Sequence, residues 1–341
     1  MVTSSLCWRG AALAAALALS AAIRARSRAL RSASCIPAAP CAPYSPSALK
    51  RCLLLSNSKL AELPYLAHAL PHIRRFLAPC PPGGYIAFVP YAQRHRDGYA
   101  AKLRQALAPV GLEVRSLHEC AGAAERLQLI RGAAAVFVGG GNSYRLLKCL
   151  QQDEGLLCEI SSRVAAGKLR YIGSSAGTNL ACPTIRNTND MPIVWPSLGL
   201  HGLCLIPFQI NTHYIDEARE LQNHMGETRA KRLEEFVEEN DAPVLALREG
   251  SSLLVEGETA QLLGPVTRSA AVTWEGARLV RRAADGGARE VAVGESLDFL
   301  MKDAAGDAGD VARLFDVSPL LSDEGQDKRR CHQSGDGFKS G

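Results

Sequence analysis

The sequence predicts an α/β fold: a parallel sheet sandwiched between helices in three layers. Three observations carry this. Short apolar runs of four to six residues alternate with helix-length segments. Those runs are apolar on both faces instead of alternating with polar residues, the mark of strands covered on both sides. Two of them end in glycine-rich turns that open a helix, as strand-to-helix crossovers do in parallel sheets.

In order, residues 52–56 (CLLLS) read as a buried strand ending in the turn Ser56-Asn57-Ser58, and residues 64–77 have helical apolar spacing. Strands follow at 84–89, 112–117, 135–138 and 169–172, with helices at 97–107, 123–130 and 147–166 between them. After Gly226 a charged helix extends to about residue 239, and the apolar run 244–247 is expected to return to the same sheet. Short β-like pieces at 252–255, 261–263, 271–274, 278–281 and 290–293 suggest antiparallel additions. The expected organisation is a leader or extension over 1–50, one α/β domain over 51–303, and a Gly, Asp and Ser-rich, largely disordered tail over 304–341.

Composition excludes several function classes. Of the 39 Lys and Arg, seven fall in residues 1–51, leaving 32 against 34 acidic residues in the body. A near-neutral body offers no electrostatic footprint for a nucleic acid. No apolar run approaches the roughly 18 residues of a membrane span, so neither nucleic acid nor membrane is an expected partner. The 11 cysteines are scattered, with no CxxC pair and no Cys/His spacing suited to zinc, so no metal is expected and the thiols read as small buried hydrophobes. The leader is rich in Ala, Ser and Arg and has no acidic residue before Glu62. It suits either a plain extension, with the protein in the cytoplasm, or a mitochondrial transit peptide.

The strongest local signal is Gly173-Ser174-Ser175-Ala176-Gly177, directly after the strand 169–172 and before a helix-capable segment. This is G-x-S-x-G in the strand-turn-helix context of a nucleophile elbow. The bare pentapeptide also suits a small-residue turn or a phosphate cradle. The flanking strand and helix favour a serine presented at the strand's carboxyl end, where helix N–H groups face a developing oxyanion. Gly139-Gly-Gly-Asn142 ends another strand and lacks the spacing of a nucleotide loop, so it reads as a backbone N–H donor loop at the same sheet edge. A serine needs a base, and His213 follows an apolar approach (203–210) 38 positions after Ser175. Two carboxylates sit where either could orient the imidazole: Asp190 in the polar loop after the serine, and Glu249 after the run 244–247.

The stretch from Gly173 to Val194 (GSSAGTNLACPTIRNTNDMPIV) resembles the peptidase E family throughout. So do Leu53-Leu-Leu-Ser-Asn-Ser58, Val138-Gly-Gly-Gly-Asn142, Gln209-Ile-Asn-Thr-His213, Gly226-Glu-Thr-Arg229 and Arg248-Glu-Gly250, spanning about Cys52 to Gly264 in order. The resemblance implies a class I glutamine amidotransferase-like (flavodoxin-like) sheet and a serine exopeptidase without cofactor or metal, acting on small peptides with N-terminal aspartate. It implies Ser175 as nucleophile, His213 as base, Asp190 as the usual third member with Glu249 a competing claimant, and the N–H groups of Gly141 and Ala176 as oxyanion hole. Asp190 is the favoured acid, because it lies in the longest matched stretch. Arg186, eleven positions after Ser175, is the candidate cation for the substrate carboxylate, and Asn142 a further substrate contact. Ser174 and Thr212-His213-Tyr214 depart from the Trp and Pro-His-Phe expected of bacterial members, which would reshape the pocket without removing a reacting group. The rival readings are a cyanophycinase-like hydrolase of aspartyl-containing peptides and a silent binding protein that holds a small anion on the Gly-rich loop.

Overall fold

The structure, a computed structural model, describes residues 47, 49–80, 82–220, 226–268 and 275–302. The leader up to residue 46, the apolar run 271–274 and the tail from 303 lie outside the described residues.

Strands β1 (Arg51–Leu55), β2 (Tyr85–Val89), β3 (Glu113–Ser116), β4 (Ala135–Val138) and β5 (Arg170–Ser174) pair in parallel in the order β3-β2-β4-β5-β1. A hairpin, β8 (Ser252–Glu256) and β9 (Thr259–Leu263), extends this sheet antiparallel to β1. The two-sided apolar pattern has a direct physical consequence. Cys52, Leu54, Ala87, Val89, Val136, Val138 and Tyr171 enter one core, while Leu53, Leu55, Ile86, Phe88, Ala135, Phe137 and Ile172 enter the other. Successive strand residues point to opposite faces, so a strand buried on both sides must be apolar throughout.

Helices α1 (Leu70–Leu77) and α2 (Arg96–Leu107) cover the second core. Helices α3 (Ala123–Gly132), α4 (Ser143–Gln151), α5 (Leu156–Ala165) and α6 (Ala176–Ala181) contribute to the first. Two predicted helices differ. α1 begins at Leu70 instead of residue 64, because Pro71 lacks an N–H and its ring would clash one turn back, which suits only a first helical turn. The helix read over 147–166 is two helices, parted at Gly155, which takes the left-handed φ of 79°.

The larger departure is a second sheet. The run at 244–247 forms β7 (Val244–Arg248), which pairs in parallel with β6 (Gln209–Tyr214) and antiparallel with β10 (Ala277–Val280), followed by β11 (Arg289–Val291). One face of this sheet joins the first core through Ile210, Leu245, Leu247, Leu279 and Val291. The other is covered by Leu233 and Val237 of α8 (Arg229–Glu239), which follows the short α7 (Glu217–Glu220). A last short helix, α9 (Asp298–Lys302), packs beside β9. Among the described residues, no helix is long and apolar enough to cross a membrane.

Candidate active site

The turn from β5 into α6 holds Ser175 at φ 53° and ψ −112°, a conformation that costs a non-glycine residue about 1–3 kcal/mol and persists only where its surroundings enforce it. The surroundings are specific. The Ser175 N–H donates to the Leu55 carbonyl (3.1 Å), and the Thr178 hydroxyl donates to the same oxygen (2.7 Å). A Cβ on Gly177 would overlap the Val138 carbonyl and one on Gly173 would lie 2.7 Å from the Gly177 carbonyl, so both flanking positions of the motif demand glycine. The β4 loop packs against the serine: a Cβ on Gly140 would lie 3.0 Å from Ser175 Cβ and 3.6 Å from its Oγ. Gly141 follows at φ 138°, with the Ala92 carbonyl 2.5 Å from where its Cβ would be.

His213 sits near the end of β6, where the pairing with β7 shifts register between Asn211 and Tyr214 and the backbone takes φ 56°. This irregularity aims the imidazole across to the other sheet, where Nε2 lies 2.9 Å from Ser175 Oγ. Nδ1 lies 2.9 Å from Glu249 Oε1. In the parallel β6–β7 ladder Tyr214 pairs with Arg248, so His213 and Glu249 each lie one residue from that pair, on opposite sides of it, and their side chains meet across it. The hydrogen bond with His213 is the main cause that holds the Glu249 carboxyl below its ordinary range, helped by the charge of Arg229 and opposed by partial burial. An ionised Glu249 accepts from Nδ1–H, which leaves Nε2 bare to take the Ser175 proton.

Of the two carboxylates the sequence offered, Glu249 meets the imidazole, and Asp190, the one favoured there, has other partners. Asp190 Oδ2 accepts from the Ser143 N–H at the start of α4 (2.7 Å) and from the Thr188 hydroxyl (3.1 Å). A carboxylate there satisfies an orphan N–H and faces the positive end of the helix. Asn142, read as a substrate contact, caps α4 by accepting from Arg145 N–H (3.0 Å) and donates to the Met191 carbonyl (2.8 Å), so its side chain is occupied within the loop. Arg186 donates to Asn240 Oδ1 (2.7 Å) and lies over the Phe236 ring, 5.9 Å from its centroid. Its guanidinium is committed to α8 and not to the serine.

A residue to which sequence reasoning gave no role is Arg229, the first residue of α8. Its N–H donates to Glu220 (2.7 Å), and its Nε lies 3.8 Å from the same carboxylate. Its Nη1 is buried with no hydrogen-bond partner among the described residues, and burial pushes the guanidinium below its ordinary range. Its charge also helps hold the Glu249 carboxyl below its ordinary range. The available signal was the segment Gly226-Glu-Thr-Arg229, matched but given no role. Among the described residues no His, Cys, Asp and Glu group is arranged to hold a metal.

The chain resembles known proteins in sequence and in fold. The sequence profile of peptidase family S51 matches residues 52–263. A Streptomyces coelicolor protein named peptidase E is 48% identical over 249 residues, covering 73% of this chain and 94% of that protein. A Drosophila melanogaster protein named probable alpha-aspartyl dipeptidase is 43% identical over 250 residues, covering 73% and 97% respectively. The solved structure of a peptidase from an acI-B1 actinobacterium superposes with a TM-score of 0.52 at 16% identity, over 73% of this chain and 96% of that one, which shows a shared fold.

Proposed function

Given that the chain belongs to peptidase family S51, we propose that it is a serine exopeptidase that hydrolyses the peptide bond after an N-terminal aspartate in dipeptides and short peptides. The observation that carries the reading is the unbroken series from Ser175 Oγ through the His213 imidazole to Glu249, each link 2.9 Å long.

His213 Nε2 takes the Ser175 proton as Oγ attacks the aspartyl carbonyl carbon. The resulting oxyanion is met by the N–H groups of Ala176, which opens α6, and Gly141, whose loop lies against the serine. The imidazolium, its Nδ1–H held by Glu249, returns the proton to the departing amine. Water, deprotonated by the same nitrogen, then releases aspartate from the acyl-enzyme. Glu249 stays ionised throughout and serves by fixing the tautomer and balancing the transient positive charge.

The substrate's side-chain carboxylate requires a desolvated cation, and Arg229 offers one: partly buried, with a buried Nη1 that has no hydrogen-bond partner among the described residues, and with a charge that acts on Glu249. This role replaces the one read for Arg186. The test is a panel of dipeptides X-Leu that varies only the first residue. Cleavage of Asp-Leu with little turnover of Ala-Leu or Lys-Leu is expected. Equal turnover across the panel would refute the specificity.

A further inference from the structure

The turn that closes β1 does more than end a strand. Three consecutive residues hold the backbone at Ser175, at His213 and at the residue after Glu249. The Leu55 carbonyl takes the Ser175 N–H (3.1 Å). The Ser56 hydroxyl accepts the His213 N–H (3.0 Å) while donating to the Leu247 carbonyl (2.9 Å). Asn57 Oδ1 accepts the N–H of Gly250, the residue after Glu249 (2.8 Å), and its Nδ2 donates to the Lys59 carbonyl (2.7 Å). Ser56 and Asn57 are buried, and the Ser56 N–H is itself fixed to the Ser251 carbonyl (3.0 Å).

These contacts address a specific mechanical problem. Ser175 belongs to the large sheet, whereas His213 and Glu249 belong to the small one, so their 2.9 Å contacts depend on how the two sheets are held. His213 lies where the β6–β7 ladder is irregular, at a positive φ that few non-glycine residues adopt. Gly250, at φ 87°, is a second turn point immediately beyond the acid. The Ser56 hydroxyl joins the irregular part of β6 to the end of β7, and Asn57 anchors the turn after it. Both ties originate in the turn directly after Leu55, whose carbonyl holds the serine's N–H.

The geometry points to Ser56 and Asn57 as positioning residues of the hydrolytic site, Ser56 for the base and Asn57 for its acid, neither touching substrate. This inference rests on the proposed serine mechanism and goes beyond it. A misplacement of about 1 Å costs on the order of 10²-fold in rate. Ser56→Ala should therefore lower kcat for Asp-Leu about 10²-fold, with KM within about threefold, because the substrate's contacts are elsewhere. Ser56→Thr, which keeps the hydroxyl, should recover most of the rate. Asn57→Asp, which keeps the acceptor for Gly250, should exceed Asn57→Ala in kcat.

The assays are run well below each variant's unfolding temperature and normalised to folded protein, with Ser175→Ala alongside. In 15N-histidine NMR spectra, Ser56→Ala should shift the His213 Nδ1–H signal and Ser56→Thr should restore it. If Ser56→Ala has wild-type kcat per folded molecule and an unshifted signal, the positioning role is overturned while the serine mechanism stands. Should Ser56→Ala fail to fold, the Asn57 pair decides: equal kcat for Asn57→Asp and Asn57→Ala overturns the inference. If Ser175→Ala retains turnover, the underlying mechanism has failed instead.

Discussion

Glu249→Gln and Asp190→Asn are near-isosteric changes that the structure predicts to act in opposite ways. At Glu249 the loss is kinetic. A neutral amide no longer fixes the Nδ1–H tautomer or stabilises the imidazolium, a loss worth on the order of 10⁴ in kcat where a triad acid is made an amide, or about 5 kcal/mol of barrier. Its effect on folding is small, because the Glu249 side chain is 39% exposed and its ion pair is screened, below about 1 kcal/mol. At Asp190 the loss is structural. The carboxylate's 2.7 Å bond to the Ser143 N–H lies at the N-terminus of a nine-residue helix, where the charge and the charge-assisted bond together are worth roughly 1–2 kcal/mol. For a domain of this size that lowers Tm by roughly 3–6 °C, with kcat at low temperature within about tenfold of wild type. Steady-state kinetics on Asp-Leu and scanning calorimetry on both variants read the two quantities separately. If Asp190→Asn collapses kcat while Glu249→Gln is nearly silent, the assignment of the acid is refuted.

Two other perturbations have defined outcomes. Arg229→Met should raise KM for Asp-Leu about 10–100-fold, the worth of one charge-assisted contact, and abolish the preference over Ala-Leu; an equal loss on both dipeptides would remove Arg229 from the specificity pocket. His68 is 1% exposed, and burial pushes its imidazole down to about 4 from an ordinary value of 6.5. The folded state therefore holds it neutral where the unfolded chain binds a proton, so its stability contribution is full above pH 6.5 and is lost as pH falls toward 4. Between pH 7.5 and 5 the loss is about 2 kcal/mol, and urea unfolding should show a weaker pH dependence for His68→Gln than for wild type by that amount. Parallel pH profiles would contradict it.

The fold was legible where the local pattern determines the outcome. Strands such as 85–89 and 135–138 are apolar on both faces, and only a sheet covered on both sides accommodates that. The second sheet was not legible, because the apolar run in β7 is chemically the same as a strand of the main sheet and periodicity does not state which partner it pairs with. That single ambiguity propagated into the site. Once β7 lies beside β6, the pairing of Tyr214 with Arg248 brings Glu249 to His213, whereas Asp190 is closer in sequence and still goes to α4. Sequence proximity misled in the same way for Arg186, whose loop folds back to α8, while Arg229 arrives from 54 positions after Ser175. The elbow itself was readable, since Gly173 and Gly177 are imposed by backbone contacts that leave no room for a side chain.

The most direct test of the account is single-turnover analysis of Asp-Leu hydrolysis by Ser175→Ala beside wild type, with both proteins folded by circular dichroism. The account predicts that the variant binds Asp-Leu, loses on the order of 10⁴-fold or more in kcat, and forms no aspartyl adduct, while acid-quenched wild type has one on the peptide containing Ser175. Near-normal turnover by the folded variant, or an adduct on any other residue, would contradict it.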